Sequence, residues 1–305
     1  GGARLRDEFN KQTDIDPVAE SWELSCHHDG QSIISNGEFS GKTLAQYIET
    51  VGKQVIGTKA PKDKDFPILI KFIDAKQSLS VQVHPDDKYA LLHEGESGKT
   101  EMWYVMDATP DATLIYGFTH EISHQEFERR IKDNTLLEVC NQVPIKKGDV
   151  FFIEAGTLHA IGAGALIAEI QQSSNSTYRV YDYGRVGKDG KLRELHIEKA
   201  LAVTKLEPPT RKPEPIAKLT AFADYDLTIL AQCELFNVSH FDLHGNCSLN
   251  ANKDSFHSIL VLDGQIALTY GNDSFTITKG ESVFIPADMG EYILNGTGEF
   301  ILTTL

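Results

Sequence analysis

From residue 216 to its end the chain consists almost wholly of short β-branched and aromatic runs: "SFHSILVLDG", "QIALTYGND", "SFTITKG", "ESVFIPAD" and "GEYILNGTGEFILTTL". Gly, Asn and Asp punctuate them, and these are the residues that turn a chain tightly. Strands this short and this regularly interrupted fit a small all-β barrel or sandwich. The stretch follows "LEPPTRKPEP" (206–215), where four prolines in ten residues mark a linker.

Upstream the pattern is mixed. "SGKTLAQYIETVG" (40–52), "DDKYALLHEG" and "HIEKALAVTK" (196–205) carry helical periodicity. "SHQEFERRIKDNTLLEVC" adds Ser123 with Glu126 three residues on, the signature of a capping box. Strand patterns fill the rest: "FPILIKFID", "EMWYVMD", "TLIYGF", "DVFFIE", "ALIAEIQQ" and "YRVYDYG". The expected organisation is a helix-decorated β domain at 1–205, a linker at 206–215 and an all-β domain at 216–305.

Length and charge narrow the function. The chain has 305 residues, enough for two domains with real cores. No apolar run approaches the roughly 20 residues of a membrane span, so no membrane partner is expected. A net charge of −15 works against nucleic acid, whose phosphates reward a basic face. The same charge means that an anionic substrate must be met by a few locally placed Lys or Arg side chains. Four cysteines with no CxxC pair read as free thiols of a cytoplasmic protein. The chain opens Gly-Gly-Ala rather than with Met, so a native N-terminal piece is expected to be missing.

"SVQVHPDD" (80–87) reads as a strand that breaks at a proline. Strand side chains alternate, so Val81 and Val83 face one way while Gln82 and His84 face the other. A polar pair on one face, just before a Pro-Asp-Asp turn, needs a reason. A weak internal repeat supplies one: "KKGDVFFIEAGTLHAIG" and "TKGESVFIPADMGEYIL" share a glycine, an acidic residue, an apolar strand and a turn. Both resemble the second motif of the cupins, whose histidine is a metal ligand just past a tight turn. The first copy keeps that histidine as His159, whereas the second has Glu291.

In the first cupin motif two imidazoles share a strand face and a carboxylate comes from the next strand. Gln82 and His84 occupy the paired slots here, and Glu101 in "GKTEMWYV" supplies the carboxylate. One Glu and two His suit zinc and leave a coordination position open. Gln82 is then either a weak fourth ligand or a hydrogen-bond donor to bound water. His27-His28-Asp29 falls in a turn-like stretch and is expected at the surface. Lys99 lies two residues before Glu101 and shares its face. Glu169, with Ile167 and Gln171, and Arg179, with Tyr181 and Tyr183, offer further charges on candidate interior faces.

Taken in order, "ESWELS", "SLSVQVHPDD", "GKTEMWYV", "GTLHAIGAG" and "TYRVYDYGR" make the chain resemble the type I mannose-6-phosphate isomerases in their short bacterial form. The resemblance spans about 160 residues of the first domain; the last domain is similar only in general cupin character. It implies a mainly β fold of two cupin-like β-barrel or jelly-roll domains, the first decorated with short helices. It also implies one zinc ion per chain, bound by residues matching Gln82, His84, Glu101 and His159. Arg179 matches the arginine assigned to the active site, and Ser80, Lys99 and Glu169 match other residues of the pocket. Gly1-Gly2 resembles the end of the family's Trp-Gly-Gly, so an edge of the first barrel is expected to be absent.

The implied reaction interconverts mannose 6-phosphate and fructose 6-phosphate through an enediol or enediolate. It needs a base near C2, an electrophile and a phosphate anchor. Glu169 is the candidate base, with Lys99 as an alternative acid or base. Arg179 offers a permanently charged donor fork to the oxyanion or the phosphate, and Ser80 and Lys99 join it in holding substrate. The competing readings are a metal-dependent cupin oxygenase, which usually presents three His, a non-catalytic sugar-phosphate-binding cupin, and a regulatory paralogue that has lost activity.

Overall fold

The computed structural model describes residues 1–62, 65–187 and 189–305. It is mainly β. Two compact units emerge, each discontinuous in sequence: Gly1–Ala3, Pro17–Ala19 and Ile73–Pro213 form one, and Arg4–Asp16, Glu20–Phe72 and Glu214–Leu305 the other. The second junction falls inside the proline-rich segment, but residues 20–72 group with the C-terminal strands rather than with the rest of 1–205.

Before the proline-rich segment the strands are β1 (Glu20–Leu24), β2 (Ile68–Ala75), β3 (Val81–Val83), β4 (Glu101–Ala108), β5 (Thr113–Phe118), β6 (Cys140–Pro144), β7 (Val150–Ile153), β8 (His159–Ile161), β9 (Ala165–Gln172) and β10 (Tyr178–Tyr181). In the first unit one sheet runs through β9, β4 and β7, and a second has the order β10-β3-β8-β5-β6. Alternation along each strand sorts the side chains. Trp103, Val105, Leu114, Phe151, Ile161 and Ile167, drawn from both sheets, pack into one buried cluster. Val81, Val83, Ala160 and Val180 turn the other way, into a second cluster with Phe127, Ile131 and Ala200. Those last three come from helices α4 (His124–Lys132) and α5 (Ile197–Val203).

The helix ends follow local chemistry. The Ser123 hydroxyl accepts the Glu126 backbone N–H at 3.1 Å, capping α4. The reciprocal half of the expected capping box is not made, because the Glu126 carboxylate pairs with Arg130 at 2.8 Å one turn on. A complete box stands instead at Thr43 and Gln46, ahead of α2 (Leu44–Val51), the helix that follows the short α1 (Arg4–Asp7). Asp86, in the Pro-Asp-Asp turn, caps α3 (Asp87–His93) by accepting the Tyr89 N–H at 2.8 Å.

In the second unit the residues after the proline-rich segment form an eight-stranded antiparallel sheet. Its strands are β11 (Thr220–Ala221), β12 (Tyr225–Gln232), β13 (Asn237–Leu243), β14 (Asn246–Ala251), β15 (His257–Tyr270), β16 (Asp273–Thr278), β17 (Ser282–Ile285) and β18 (Gly290–Thr304). The order is β11-β12-β13-β18-β15-β16, with β14 also on β18 and β17 also on β15. The long β15 and β18 each pair with three strands, β15 with β16, β17 and β18, and β18 with β13, β14 and β15. Their shared ladder shifts register between Val261 and Asp263. Phe241 and Phe300, opposite each other in the ladder, stack at 4.7 Å inside the apolar core. Among the described residues no helix is long and apolar enough to cross a membrane, and the four cysteines are free thiols.

Candidate metal centre

The centre is assembled by the ladder of the second sheet and the interior face of the first. Gln82 stands opposite His159 across β3 and β8, and Arg179 opposite Gln82 across β10 and β3. From the other sheet come Glu101, opposite Gln171, and Trp103, opposite Glu169. His84 sits just past the end of β3, where the chain is pinned twice. The His84 carbonyl accepts the Gly156 N–H at 2.8 Å, and the Pro85 carbonyl accepts the Lys99 N–H at 3.0 Å. Gly156 has φ +89°, and a Cβ there would meet the Val203 carbonyl at 2.8 Å, so the turn before His159 requires glycine.

His84, Glu101 and His159 are buried, with one ligand atom of each inside a common 4.8 Å sphere of mutual distances. The tautomers follow from their partners. His84 Nδ1 lies 2.8 Å from the Ser176 carbonyl, and His159 Nδ1 lies 2.8 Å from the Thr157 carbonyl. Carbonyls only accept, so each Nδ1 carries the proton and each Nε2 presents a lone pair. Burial lowers the His159 pKa to about 4, which keeps the ring neutral. Yet the two Nε2 atoms stand 3.1 Å apart, and the Glu101 oxygens stand 3.4 Å from His159 Nε2 and 3.6 Å from His84 Nε2. Lone pairs and a carboxylate converging out of water repel one another unless a cation lies between them. The Lys99 ammonium answers part of this demand, 2.8 Å from Glu101 and 3.1 Å from His84 Nε2. The donor set therefore fits a divalent metal: two imidazoles oriented by carbonyls, and one carboxylate.

Of the remaining expected residues, Gln82 and Glu169 contact members of this group. The Gln82 amide lies 3.5 Å from His159 Nε2, at the edge of hydrogen-bond reach. Glu169 is buried, its Oε1 3.8 Å from Lys99 Nζ. Ser80 is buried two residues before Gln82, on the same side of the strand. The Arg179 side chain donates through Nη1 to the Glu194 carbonyl at 3.0 Å, while its buried Nε meets no acceptor. Burial, and then the charge of Arg193, push its guanidinium down from its usual pKa.

Trp103 escaped the sequence reading, and Gln171 was placed there only as a neighbour on the face of Glu169. Trp103 donates its indole N–H to Glu169 Oε2 at 2.9 Å and packs edge-on against His159 at 5.3 Å. Gln171, fully buried beside Glu101, has its Nε2 bonded to the Gln172 and Ser174 carbonyls while Oε1 meets no donor. Strand alternation carried the signal for both, since they lie two residues from Glu101 and Glu169 respectively.

His27, His28 and Asp29 also bring ligand atoms within 4.8 Å of one another. His28 and Asp29 are exposed as expected, but His27 is buried, because its ring packs edge-on against Trp22 at 5.8 Å. His27 Nδ1 already accepts the Asp29 N–H at 3.2 Å, which competes with any ion for that lone pair. In the second unit, His257 Nδ1 bonds the Tyr292 hydroxyl at 2.8 Å, and Glu291 is exposed on β18.

Known proteins share this arrangement of sequence and fold. Residues 2–112 match the family described as "Phosphomannose isomerase type I, catalytic domain", and residues 226–305 match "Mannose-6-phosphate isomerase, cupin domain". A mannose-6-phosphate isomerase of Bacillus subtilis (strain 168) is 38% identical, with 100% of this chain and 95% of the relative covered. One from Streptococcus mutans is 36% identical, with coverages of 99% and 93%. The crystal structure of the mannose 6-phosphate isomerase from Bacillus subtilis superposes with a TM-score of 0.92 at 34% identity, covering 100% of this chain and 95% of that one. Phosphomannose isomerase from Salmonella typhimurium, at 17% identity and a TM-score of 0.78, shares the fold. With two near-complete relatives above a third identity and a buried metal-ligand set in a two-unit β fold, the chain belongs to the type I mannose-6-phosphate isomerase family.

Proposed function

We propose that this protein interconverts mannose 6-phosphate and fructose 6-phosphate, with one zinc ion per chain held by His84, Glu101 and His159 and with Gln82 as a neutral fourth contact. The observation that carries the reading is the convergence of two imidazole Nε2 atoms and a carboxylate at one buried point. Family membership supplies the sugar phosphate, because the relatives named for this activity match the chain over nearly its whole length. The four scattered thiols and the acidic composition support the cytoplasm as its compartment.

Zinc in such a site supplies Lewis acidity towards the sugar's oxygens and a template for their placement. Everything else falls to the side chains. Glu169 takes the proton at C2 and returns it at C1, its carboxylate oriented by the Trp103 indole N–H. Lys99, within ion-pair distance of Glu101 and Glu169, moves the second proton between the hydroxyl oxygens. Arg179, whose buried Nε has no acceptor, offers that donor to the oxyanion that develops on the way to the enediolate. Ser80 completes the wall on the Gln82 side. The first β domain is thus the catalytic one. The C-terminal cupin-like domain (216–305) acts structurally, since His257 and Glu291 alone are too few donors for a catalytic metal. The test is metal content and turnover of mannose 6-phosphate, measured on the same preparation.

A further inference from the structure

The His84 ring is oriented by the bond from its Nδ1 to the Ser176 carbonyl at 2.8 Å. That carbonyl belongs to residues 173–177, which join β9 to β10 and lie outside both strands. Within a ladder, register sets where a carbonyl points. Here side chains must set it. From the segment's own stretch, Gln171 Nε2 donates to the Ser174 carbonyl at 2.8 Å, and the Ser176 N–H donates to Ser174 Oγ at 3.2 Å. From a different element comes Glu96. Its Oε1 accepts the Ser176 hydroxyl at 2.7 Å, and its Oε2 accepts the Asn175 N–H at 3.1 Å.

The chain reaches Glu96 from the ligand itself. His84 leads through Pro85 and Asp86 into α3, and Gly95 closes that helix with φ +72° and an N–H bonded to the Ala90 carbonyl at 3.0 Å. Glu94 and Glu96 flank this turn and hold different residues. Glu94 accepts the Tyr178 hydroxyl at 2.7 Å and the Lys199 ammonium at 2.6 Å. Glu96 holds Asn175 and Ser176, and Ser176 carries the acceptor of His84. A hydroxyl donating to a carboxylate makes a short, strong bond. Ser176 is buried and Glu96 half-buried, so these bonds are partly shielded from water. Two carboxylate oxygens on two adjacent residues restrict the rotation of the backbone between them.

We propose that Glu96 is a positioning residue of the metal centre: by holding Asn175 and Ser176 it aims the carbonyl that orients the His84 ring, and so tightens the grip on zinc. This rests on the reading of His84, Glu101 and His159 as zinc ligands. An imidazole whose other nitrogen is held by an acceptor is already turned for its metal and is the more basic ligand. Glu96 works through Ser176 and not on the sugar, so its removal should show in metal affinity and spare the chemical step.

The test strips the full chain of metal and titrates it with zinc against a chromophoric chelator, then measures turnover of mannose 6-phosphate at saturating zinc. Glu96→Ala should weaken zinc binding about tenfold, as for the loss of an outer partner of a ligating histidine. At saturating zinc its kcat and KM should stay within about threefold of the parent. Glu96→Gln keeps one acceptor oxygen and should fall between the parent and Glu96→Ala; it also carries the test if Glu96→Ala does not fold. Glu94→Ala controls for general loosening, because it frees Tyr178 and Lys199 but leaves Asn175 and Ser176 held. It should lower Tm while zinc affinity stays at the parent level. Parental zinc affinity in the Glu96 variants that fold, or an equal loss in Glu94→Ala, overturns the assignment while the metal centre stands. If the parent itself takes up no zinc, the metal centre falls, and the role of Glu96 with it.

Discussion

Replacing Trp103 by Phe isolates one hydrogen bond at the heart of the site. The indole is 1% exposed, and its N–H reaches Glu169 Oε2 at 2.9 Å. Phe keeps most of the ring and its edge-on contact with His159, and removes the donor. A hydrogen bond to a charged group contributes about 1.5–3 kcal/mol. If the bond orients the base in the transition state, its loss lowers kcat about ten- to hundredfold, with KM little changed. The smaller ring and the lost bond together should also cost about 2–4 kcal/mol of stability, a fall in Tm of several degrees. Zinc content should stay at the parent level, because Trp103 is not a ligand. A coupled isomerase assay, thermal melts and metal analysis on the same protein give all three numbers. Glu169→Gln provides the reference and should be the slower enzyme of the two. A folded, zinc-replete Trp103→Phe with parental kcat, beside a Glu169→Gln that is equally active, would refute the role given to Glu169.

Other perturbations separate the remaining roles. His84→Ala and His159→Ala should each lose metal and activity together, whereas Gln82→Ala should retain more metal, since a neutral amide is the weakest donor of the set; metal analysis after dialysis distinguishes them. Arg179→Ala should keep its zinc and lose about two to three decades of turnover, as for removal of an oxyanion donor; a change in KM alone would confine Arg179 to binding. His257, in the second unit, gives a pH prediction. Burial lowers its pKa from 6.5 to about 4, with Nδ1 against the Tyr292 hydroxyl. Protonation therefore favours the unfolded chain, and stability present above pH 6.5 should be lost as the pH falls towards 4. Melting curves at pH 7 and pH 5 should show a smaller acid loss in His257→Gln than in the parent, and equal losses would contradict this.

Much of the site was legible because it is written in strand alternation. Val81 and Val83 against Gln82 and His84, and Glu101 two residues after Lys99, follow from the period of two alone, and the interior of the β fold collects one face of each strand. Trp103 obeyed the same period, as did Gln171 on the face of Glu169, but neither an apolar ring nor an amide shows a role until its hydrogen-bond partners are known. The Ser123–Glu126 pair shows the limit of local motifs: Arg130 competes for the carboxylate and wins. Grouping residues 20–72 with the C-terminal strands lay beyond sequence reasoning, since contacts between distant segments leave no local periodicity. The carbonyls of Thr157 and Ser176, which fix both imidazole tautomers, were hidden for a related reason. Any residue type carries a carbonyl, so the letters say nothing of where it points.

The central claim is that a buried zinc ion, held by His84, Glu101 and His159, is required for isomerisation of mannose 6-phosphate. The most direct measurement follows zinc content and turnover through one preparation as it is purified, stripped with a chelator and reloaded. One zinc per chain at the start, activity falling in proportion to zinc on stripping, and recovery on adding zinc back are the predicted results. Metal-free protein that isomerises the sugar phosphate at the full rate would contradict the account.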